Sequence, residues 1–462
     1  MNKILLEKAS YLSFEEQHHL RRAILFAKQA HDGQYRQTGE PYINHPFAVT
    51  EILLTYKADI VTLIAALLHD VVEDTPYSLK QVQSLFGNTV SYIVDGLTKE
   101  EKKHGQEKEL YNAMNLKKFL IASQKDIRVV MIKVIDRLHN IHTLSVKKPA
   151  KQVAYANKTL KLFAPLAKKL GLSHIQHELE NISFQYLHKE KHKKMQHFLN
   201  GYIPTMQDAI KDIQEKMIDF QDATLSLEID YTFTPIYSAY SQFQETQDFS
   251  KLSQIYITTD SVIDCYKVLG IIHQLYTPHM HAFEDNIALK NTLFNTYLKT
   301  KVEVNDNWQI IYIQTKTAQL KRNHGIFSLI QNNHENIQNL SYTIMHDVIM
   351  NNGVLTEDPL AFQSFVSYEL FENTITAYTT NLHPIYLPEG ATIIDFAFNA
   401  FPELAYYMDE AQQNGIKVPF TKTISHLDII ELHFTSTKNA SVHWLNYAHT
   451  AKAQLFLQNK RL

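Results

Sequence analysis

Along the first 190 residues apolar side chains recur at three- and four-residue intervals, in Leu20–Ala30, Phe47–Leu54, Val61–Leu68 and Ile127–Leu144. Glycine and proline are confined to breaks such as Gly33, Gly39-Glu40-Pro41, Gly87, Gly96 and Pro149. This pattern predicts an all-helical domain. Residues 191 to about 225 are polar and helical, opening on the basic run Lys191 to Lys194, and read as a connector. From about Leu225 the period drops to two. Leu225–Tyr231 and Trp308–Gln314 alternate as strands do, with helical stretches such as Val262–Tyr276 between them, as in an α+β domain. A polar helical bridge follows over about 341–372. Short strands at Thr374–Tyr378 and Ile429–Phe434 then flank a helix over Ile393–Phe401, a unit of β-grasp size. The stretch Val442–Leu457 reads as one amphipathic helix. The fold class expected is therefore multidomain: all-α over 1–195, α+β over 196–340, a helical linker over 341–372, a β-grasp over 373–437, and the start of a helical segment over 438–462.

Composition supports several packed cores. At roughly 150 residues per domain, 462 residues suggest about three domains, and 45% hydrophobic against 20% charged residues excludes a disordered chain. The formal net charge of −3, from 45 basic and 48 acidic residues, gives no bulk attraction to DNA or to an anionic membrane. The single cysteine, Cys265, excludes an internal disulfide. Met1–Ser10 lacks a signal-peptide core, and the longest apolar run, Ile60–Leu68, is too short to span a bilayer. A cytoplasmic protein is expected. The 24 histidines are many, so their organisation matters.

Four pieces of the helical domain stand out: Gly33–Pro46 around His45, Ala65–Thr75 with His69-Asp70 and Glu73-Asp74, Asp95-Gly-Leu-Thr-Lys99, and Ile132–Leu144 with Asp136, Asn140 and Thr143. On one helix His69 and Glu73 share a face, as do Asp70 and Asp74. Burying so much acid is costly without a cation. His45 and Asp136, from other helices, complete a set of two nitrogens and two oxygens, which suits Mn²⁺ with water positions left open. Glu73 and Asp74, one turn beyond, are placed to move protons or orient water. Plainer readings stand beside this one. His45, before a proline, can be a helix cap. Asp136 with Arg137 can be a surface ion pair, and His139 and His142 can be structural.

At these residues the chain resembles the RelA/SpoT family of alarmone enzymes. The likeness extends through Ile43-Asn-His-Pro, Thr62–Thr75, Phe86-Gly-Asn, Val94–Lys99, Lys125–Val130, Asp136–Asn140 and Phe163–Gly171. It implies an HD-type hydrolase that removes pyrophosphate from the 3′ position of (p)ppGpp and uses Mn²⁺. By that resemblance His45, His69, Asp70 and Asp136 are metal ligands, and Glu73 and Asp74 the catalytic acids. Arg36, Gln37, Thr38, Asn140 and Thr143 bind substrate. The family usually has Lys where this chain has Gln37.

Residues 196–340 resemble the family's synthetase domain through Ile236–Tyr240, Asp260–His273 and Phe283–Ala288, but its chemistry is missing. Lys251 stands where a Mg²⁺-binding Asp is expected, Tyr256 where an Arg follows, and Ile310 where a catalytic Glu belongs. Residues 374 to about 436 resemble a TGS domain through Tyr386–Phe398, with Phe401 at the position of a tRNA-contacting His. The function expected is a (p)ppGpp hydrolase without synthetase activity. Alternatives are an HD hydrolase of another 3′-phosphorylated nucleotide such as NADPH, a non-catalytic regulator that binds ribosome, tRNA or carrier protein, and a bifunctional synthetase/hydrolase.

Overall fold

The computed structural model describes residues 2–220, 225–246, 248–289, 293–331, 337–349, 358–360, 362–363, 366 and 374–459. The chain divides into two compact units, residues 1–67 with 131–335 and residues 68–130 with 336–462.

Up to Ile218 the described chain is helical, as the three- and four-residue spacing dictates. The helices are α1 (Asn2–Lys8), α2 (Phe14–Ala30), α3 (Asn44–Thr55), α4 (Ile60–Leu68), α5 (Val71–Asp74), α6 (Leu79–Phe86), α7 (Asn88–Leu97), α8 (Lys108–Lys125), α9 (Arg128–His142), α10 (Pro149–Lys158), α11 (Ala164–Lys169), α12 (Ser173–Leu187) and α13 (Lys189–Ile218). Local signals set their ends. Ser13 and Glu16 close a capping box at the start of α2, and Pro149 opens α10 where its missing N–H costs nothing.

In the first unit the chain after α13 builds a mixed five-stranded sheet in the order β1-β2-β5-β4-β3. Its strands are β1 (Glu228–Phe233), β2 (Ser253–Thr259), β3 (Glu284–Asp285), β4 (Leu298–Val304) and β5 (Asn307–Thr315), with β2 parallel to β5. One face carries Ile255, Ile257, Ile311 and Ile313 into a core shared with Val268 and Ile272 of the helix Val262–Leu275. The other face carries a cross-strand row of Asp230, Tyr256, Tyr312 and Lys299.

The second unit holds α5 to α8, the helix Ile337–Ile349 packed on α8, and a second mixed sheet in the order β7-β6-β10-β8-β9. Its strands are β6 (Thr374–Thr379), β7 (Pro384–Pro388), β8 (Met408–Gln413), β9 (Ile416–Lys417) and β10 (Ile429–Phe434), with β6 parallel to β10. The helix Ile393–Ala400 buries Ile393, Ile394, Phe396 and Phe398 against this sheet's core.

Two expected helices are broken. The Val61–Leu68 helix does not run on to Glu73. It ends at Leu68, His69 and Asp70 form a turn, and Asp70 (φ −101°, ψ −6°) starts the separate helix α5. The single helix expected over Val442–Leu457 is instead a 3₁₀ turn, Val442–Asn446, and a helix, Ala451–Asn459. The cause is the fully buried Asp395, whose Oδ1 accepts from the N–H groups of His449 (2.8 Å) and Thr450 (2.7 Å) and so draws that backbone out of the helix. Of the bridge expected over 341–372, Ile337–Ile349 is a helix, and most of the remainder lies outside the described residues. Among the described residues no helix is long and apolar enough to cross a membrane.

Candidate functional site

In the first unit, α3 and α9 bring a histidine and an aspartate together. His45, the second residue of α3, has its Nε2 3.1 Å from Oδ1 of Asp136, and both side chains are buried. The other ring nitrogen of His45 shares a 2.9 Å hydrogen bond with Nδ1 of His139, one helical turn beyond Asp136. That bond leaves Nε2 as the nitrogen facing the carboxylate. His139 is pushed down to about 4, first by burial and then by the neighbouring charges of His45 and Arg36, so its imidazole is neutral at ordinary pH. It therefore fixes the orientation of His45. Lys133 Nζ lies 3.2 Å from the second oxygen of Asp136.

Asn140, one turn further along α9, connects this pair to a cleft. Its Nδ2 donates to Asp136 Oδ1 (2.5 Å), and its Oδ1 accepts from Arg36 Nη2 (2.5 Å). Arg36 sits on a loop closed by backbone bonds from Arg36 N to Glu40 O and from Tyr42 N to Gln34 O, both 2.8 Å. Gly39 turns that loop at φ +84°, a backbone conformation suited to glycine. The cleft, about 240 Å³, is lined by Arg36, Gln37, Thr38, Asn140, Thr143 and Lys147, among others. The five residues expected to bind substrate thus share one cavity. Lys147 is a cation the sequence reading missed. Burial and the charges of Arg137 and Arg36 lower its pKa from the usual lysine value. Only its distance from Gln37 along the chain hid it.

Arg137 is not a surface partner of Asp136. It is buried with its guanidinium between the rings of Tyr155 (4.1 Å) and Phe163 (4.0 Å), a packing role. His142 is exposed and bridges to Glu178 (3.0 Å).

In the second unit, His69 Nε2 lies 3.2 Å from Asp70 Oδ2, with His69 buried and Asp70 partly so. The turn between α4 and α5 that separates them from the helix sets this pair. Glu73 and Asp74 are exposed on α5. The Nζ of Lys99 donates to Glu73 Oε1 (2.5 Å), and the Lys99 amide to Oε2 (3.4 Å). Burial works against the Lys99 ammonium, but the hydrogen bond and charge of Glu73 outweigh it and raise its pKa. This explains the Asp95–Lys99 motif. Lys118 Nζ holds its start at Asp95 (2.9 Å) and Thr98 O (3.1 Å), and a Cβ on Gly96 would meet Ala122 Cβ at 2.7 Å. The glycine lets α7 approach α8 closely, which delivers Lys99 to Glu73.

Donor chemistry fits a divalent cation. In the first unit His45 with Asp136, and in the second His69 with Asp70, each pair an imidazole nitrogen with a carboxylate oxygen, the donor types a divalent ion takes. In the α/β part of the first unit, Lys251, Tyr256 and Ile310 offer no carboxylate. The Lys251 carbonyl accepts from Thr234 Oγ1 (2.6 Å), Tyr256 Oη donates to Gln254 (2.6 Å), and Ile310 is buried.

Comparison with known proteins bears on this arrangement. A model of the HD domain matches residues 23–173. The chain is 30% identical over 93% of its length to a guanosine-3′,5′-bis(diphosphate) 3′-pyrophosphohydrolase of Haemophilus influenzae, covering 65% of that protein. It is 30% identical over 96% of its length to the bifunctional (p)ppGpp synthase/hydrolase SpoT of Escherichia coli, again covering 65%. A GTP pyrophosphokinase of Streptomyces coelicolor is 31% identical over 94% of this chain, which covers 54% of that protein. The chain thus spans just under two thirds, or less, of these relatives. With an HD domain matched over residues 23–173 and similarity of this kind along nearly its whole length, the chain is similar to proteins of the RelA/SpoT family.

Proposed function

We propose that this protein is a Mn²⁺-dependent 3′-pyrophosphohydrolase of ppGpp and pppGpp that has no synthetase activity. The observation that carries the reading is the hydrogen-bonded series Arg36–Asn140–Asp136–His45, which couples the Arg36 cleft to the His45–Asp136 pair. The names of the relatives supply the substrate class.

In this reading His45, His69, Asp70 and Asp136 hold the ion. The bound ion supplies positive charge that acidifies a water and polarises a phosphoryl oxygen. Arg36 lays its flat guanidinium on the guanine, while Asn140 and Thr143 hydrogen-bond the sugar and phosphate. Gln37 and Thr38 line the same wall, and Lys147 supplies a cation that Gln37 cannot. Glu73, oriented by Lys99, takes a proton from the attacking water, and Asp74 assists it. Water adds across the bond to the 3′ oxygen, which leaves with a proton as the 3′ hydroxyl of GDP or GTP, and pyrophosphate is released.

Residues 1–195 form the hydrolase domain and 196–340 a synthetase-like domain without activity. In the latter, Lys251, Tyr256 and Ile310 cannot hold Mg²⁺ or activate a hydroxyl. Residues 373–437 are a TGS-type β-grasp reached through the linker 341–372. Its contact with tRNA or ribosome is weakened by Phe401 at the family's histidine position.

The test mixes purified protein with ppGpp and Mn²⁺ and follows products by ion-exchange chromatography, beside Asp70→Ala and Glu73→Gln. GDP and pyrophosphate from the wild type alone are expected. Turnover by both variants equal to wild type would overturn the site assignment. Gln37, uncharged in the cleft, favours a second reading as a hydrolase of another 3′-phosphorylated nucleotide such as NADPH. Faster turnover of NADPH than of ppGpp would establish it.

A further inference from the structure

His31 is a buried histidine, 2% exposed, to which the hydrolase reading gives no role, and it is not among the residues that line the Arg36 cleft. It follows the last residue of α2, and its amide donates to Ala27 O (3.1 Å). The chain then forms the loop that carries Arg36, Gln37 and Thr38, and re-enters the fold at Tyr42, three residues before His45. Backbone bonds from Arg36 N to Glu40 O and from Tyr42 N to Gln34 O hold the loop's own shape, with a bridge between Tyr35 and Pro41. Its glycines give it no anchorage. At Gly33 (φ +75°) and Gly39 (φ +84°) no atom beyond the chain neighbours lies within 4 Å of where a Cβ would stand. The loop is a closed two-stranded finger whose bearing is set at its base.

His31 grips both strands of that base. Its Nδ1 donates to the side-chain Oε1 of Gln34 (2.8 Å), on the outgoing strand. Its ring stacks on that of Tyr42, on the returning strand, with centroids 4.9 Å apart and planes at 23°. Gln34 and Tyr42 are themselves joined through the backbone, Tyr42 N to Gln34 O (2.8 Å), so the three residues form one clasp. Tyr42 in turn faces the site. It lines the Arg36 cleft, its ring meets that of His45 edge-on at 6.2 Å and 88°, and its carbonyl accepts from the His45 amide (2.9 Å). The remaining nitrogen of His31, Nε2, is buried and has no hydrogen-bond partner among the described residues. Burying an unpartnered polar atom is unfavourable, and an apolar side chain of similar size would fill the space without it. Packing alone does not call for a histidine here. The Nδ1 bond to Gln34 does.

We infer that His31 is the positioning residue of the Arg36 loop: through Gln34 and Tyr42 it holds Arg36, Gln37 and Thr38 at a fixed bearing to His45 and Asn140, without touching substrate itself. The inference rests on the hydrolase reading for what the loop binds, and on geometry alone for how the loop is held. Loss of the clasp frees the finger while His45 keeps its place, because α3 carries its backbone and His139 Nδ1 holds its ring at 2.9 Å. Substrate binding therefore suffers and the chemical step does not.

The experiment compares the full chain with His31→Leu, His31→Asn and Gln34→Ala in two measurements. One is steady-state ppGpp hydrolysis with Mn²⁺. The other is the rate of tryptic cleavage after Arg36 without nucleotide or metal, with cleavage at the exposed Lys102–Lys103 as internal reference. One net hydrogen bond is worth roughly fivefold in an equilibrium. His31→Leu loses bond and stack, and should raise KM by about fivefold or more with kcat within about threefold of wild type. It should speed cleavage after Arg36 by a similar factor and leave the reference rate unchanged. His31→Asn returns an N–H donor near the position of Nδ1 and should fall between wild type and His31→Leu in both measurements. Gln34→Ala removes the same bond from its less buried partner, and carries the test if His31→Leu does not fold. Unchanged KM in a folded His31→Leu protein, a fall in kcat alone, or cleavage that quickens equally at Lys102–Lys103 would each overturn the proposal, the last because it marks a general loss of stability. Absence of turnover by the wild type would fall on the hydrolase reading instead, and the tryptic rates would still decide the role of His31.

Discussion

Asn140 offers the sharpest test of the hydrolase reading, because one amide serves two charged partners. Its Nδ2 donates to Asp136 and its Oδ1 accepts from Arg36, each at 2.5 Å. Replacing Asn140 with Ala removes both bonds. A hydrogen bond to a charged group is worth about 1.5–3 kcal/mol, and solvent in this half-open cleft reduces each to about 1–2 kcal/mol. The loss of about 2–4 kcal/mol converts, at about 1.4 kcal/mol per tenfold, to a fall in kcat/KM of roughly 30- to 700-fold. Asn140→Asp separates the two roles. Arg36 keeps an oxygen acceptor, so KM should stay near the wild-type value, while a second carboxylate beside Asp136 should lower kcat. The assay is steady-state ppGpp hydrolysis with Mn²⁺, with circular dichroism to show that each variant folds. A folded Asn140→Ala protein within threefold of wild type in kcat/KM would refute the coupling.

Three further outcomes follow from the structure. Gly96→Ala pushes a Cβ to within 2.7 Å of Ala122 Cβ, and the overpacking, about 1–3 kcal/mol less about 1 kcal/mol of gained helix propensity, should lower Tm by several degrees; a higher Tm would contradict the packing. Burial, aided by the charges of His174 and Lys168, pushes His177 down to about 4, against about 6.5 unfolded. The native protein therefore binds fewer protons than the unfolded chain between those values. Stability should be full above about pH 6.5 and fall by up to roughly 3 kcal/mol as pH drops toward 4, and urea midpoints of His177→Gln should show a shallower slope; an unchanged slope would count against it. Saturating Mn²⁺ at about 100 times its Kd should add about 2.7 kcal/mol of stability, visible as a Tm rise that EDTA reverses and Asp136→Ala abolishes; an equal rise in that variant would remove Asp136 from the ligand set.

Much of this was legible in the sequence, for a physical reason. Helical spacing of apolar residues and the confinement of glycine and proline to breaks reflect local geometry, so the helices up to Ile218 and the strands at Glu228–Phe233, Asn307–Thr315 and Thr374–Thr379 could be read directly. The residues Arg36, Gln37, Thr38, Asn140 and Thr143 could be named because their motifs are short and contiguous. Their sharing of one cavity is a tertiary fact.

What periodicity could not reveal was decided by contacts between distant segments. The break at His69-Asp70 and the break before Ala451 interrupt patterns that look helical throughout, and in the second case a buried carboxylate fifty-four residues away draws the backbone aside. Arg137 carries a charge that any sequence rule sends to the surface, yet two aromatic rings from α10 and the turn after it make its burial favourable. Lys99 stood in a motif without a role, His139 read as structural and Lys147 was not singled out; they gain their places only from Glu73, His45 and the cleft. Tyr256 and Tyr312 stack because strand register sets them opposite each other, fifty-six residues apart in the chain. Sequence alone indicates most element types and nominates the candidate reactive groups, since these depend on neighbours along the chain. Orientation, protonation and the pairing of charges depend on neighbours in space, and only the folded chain supplies those.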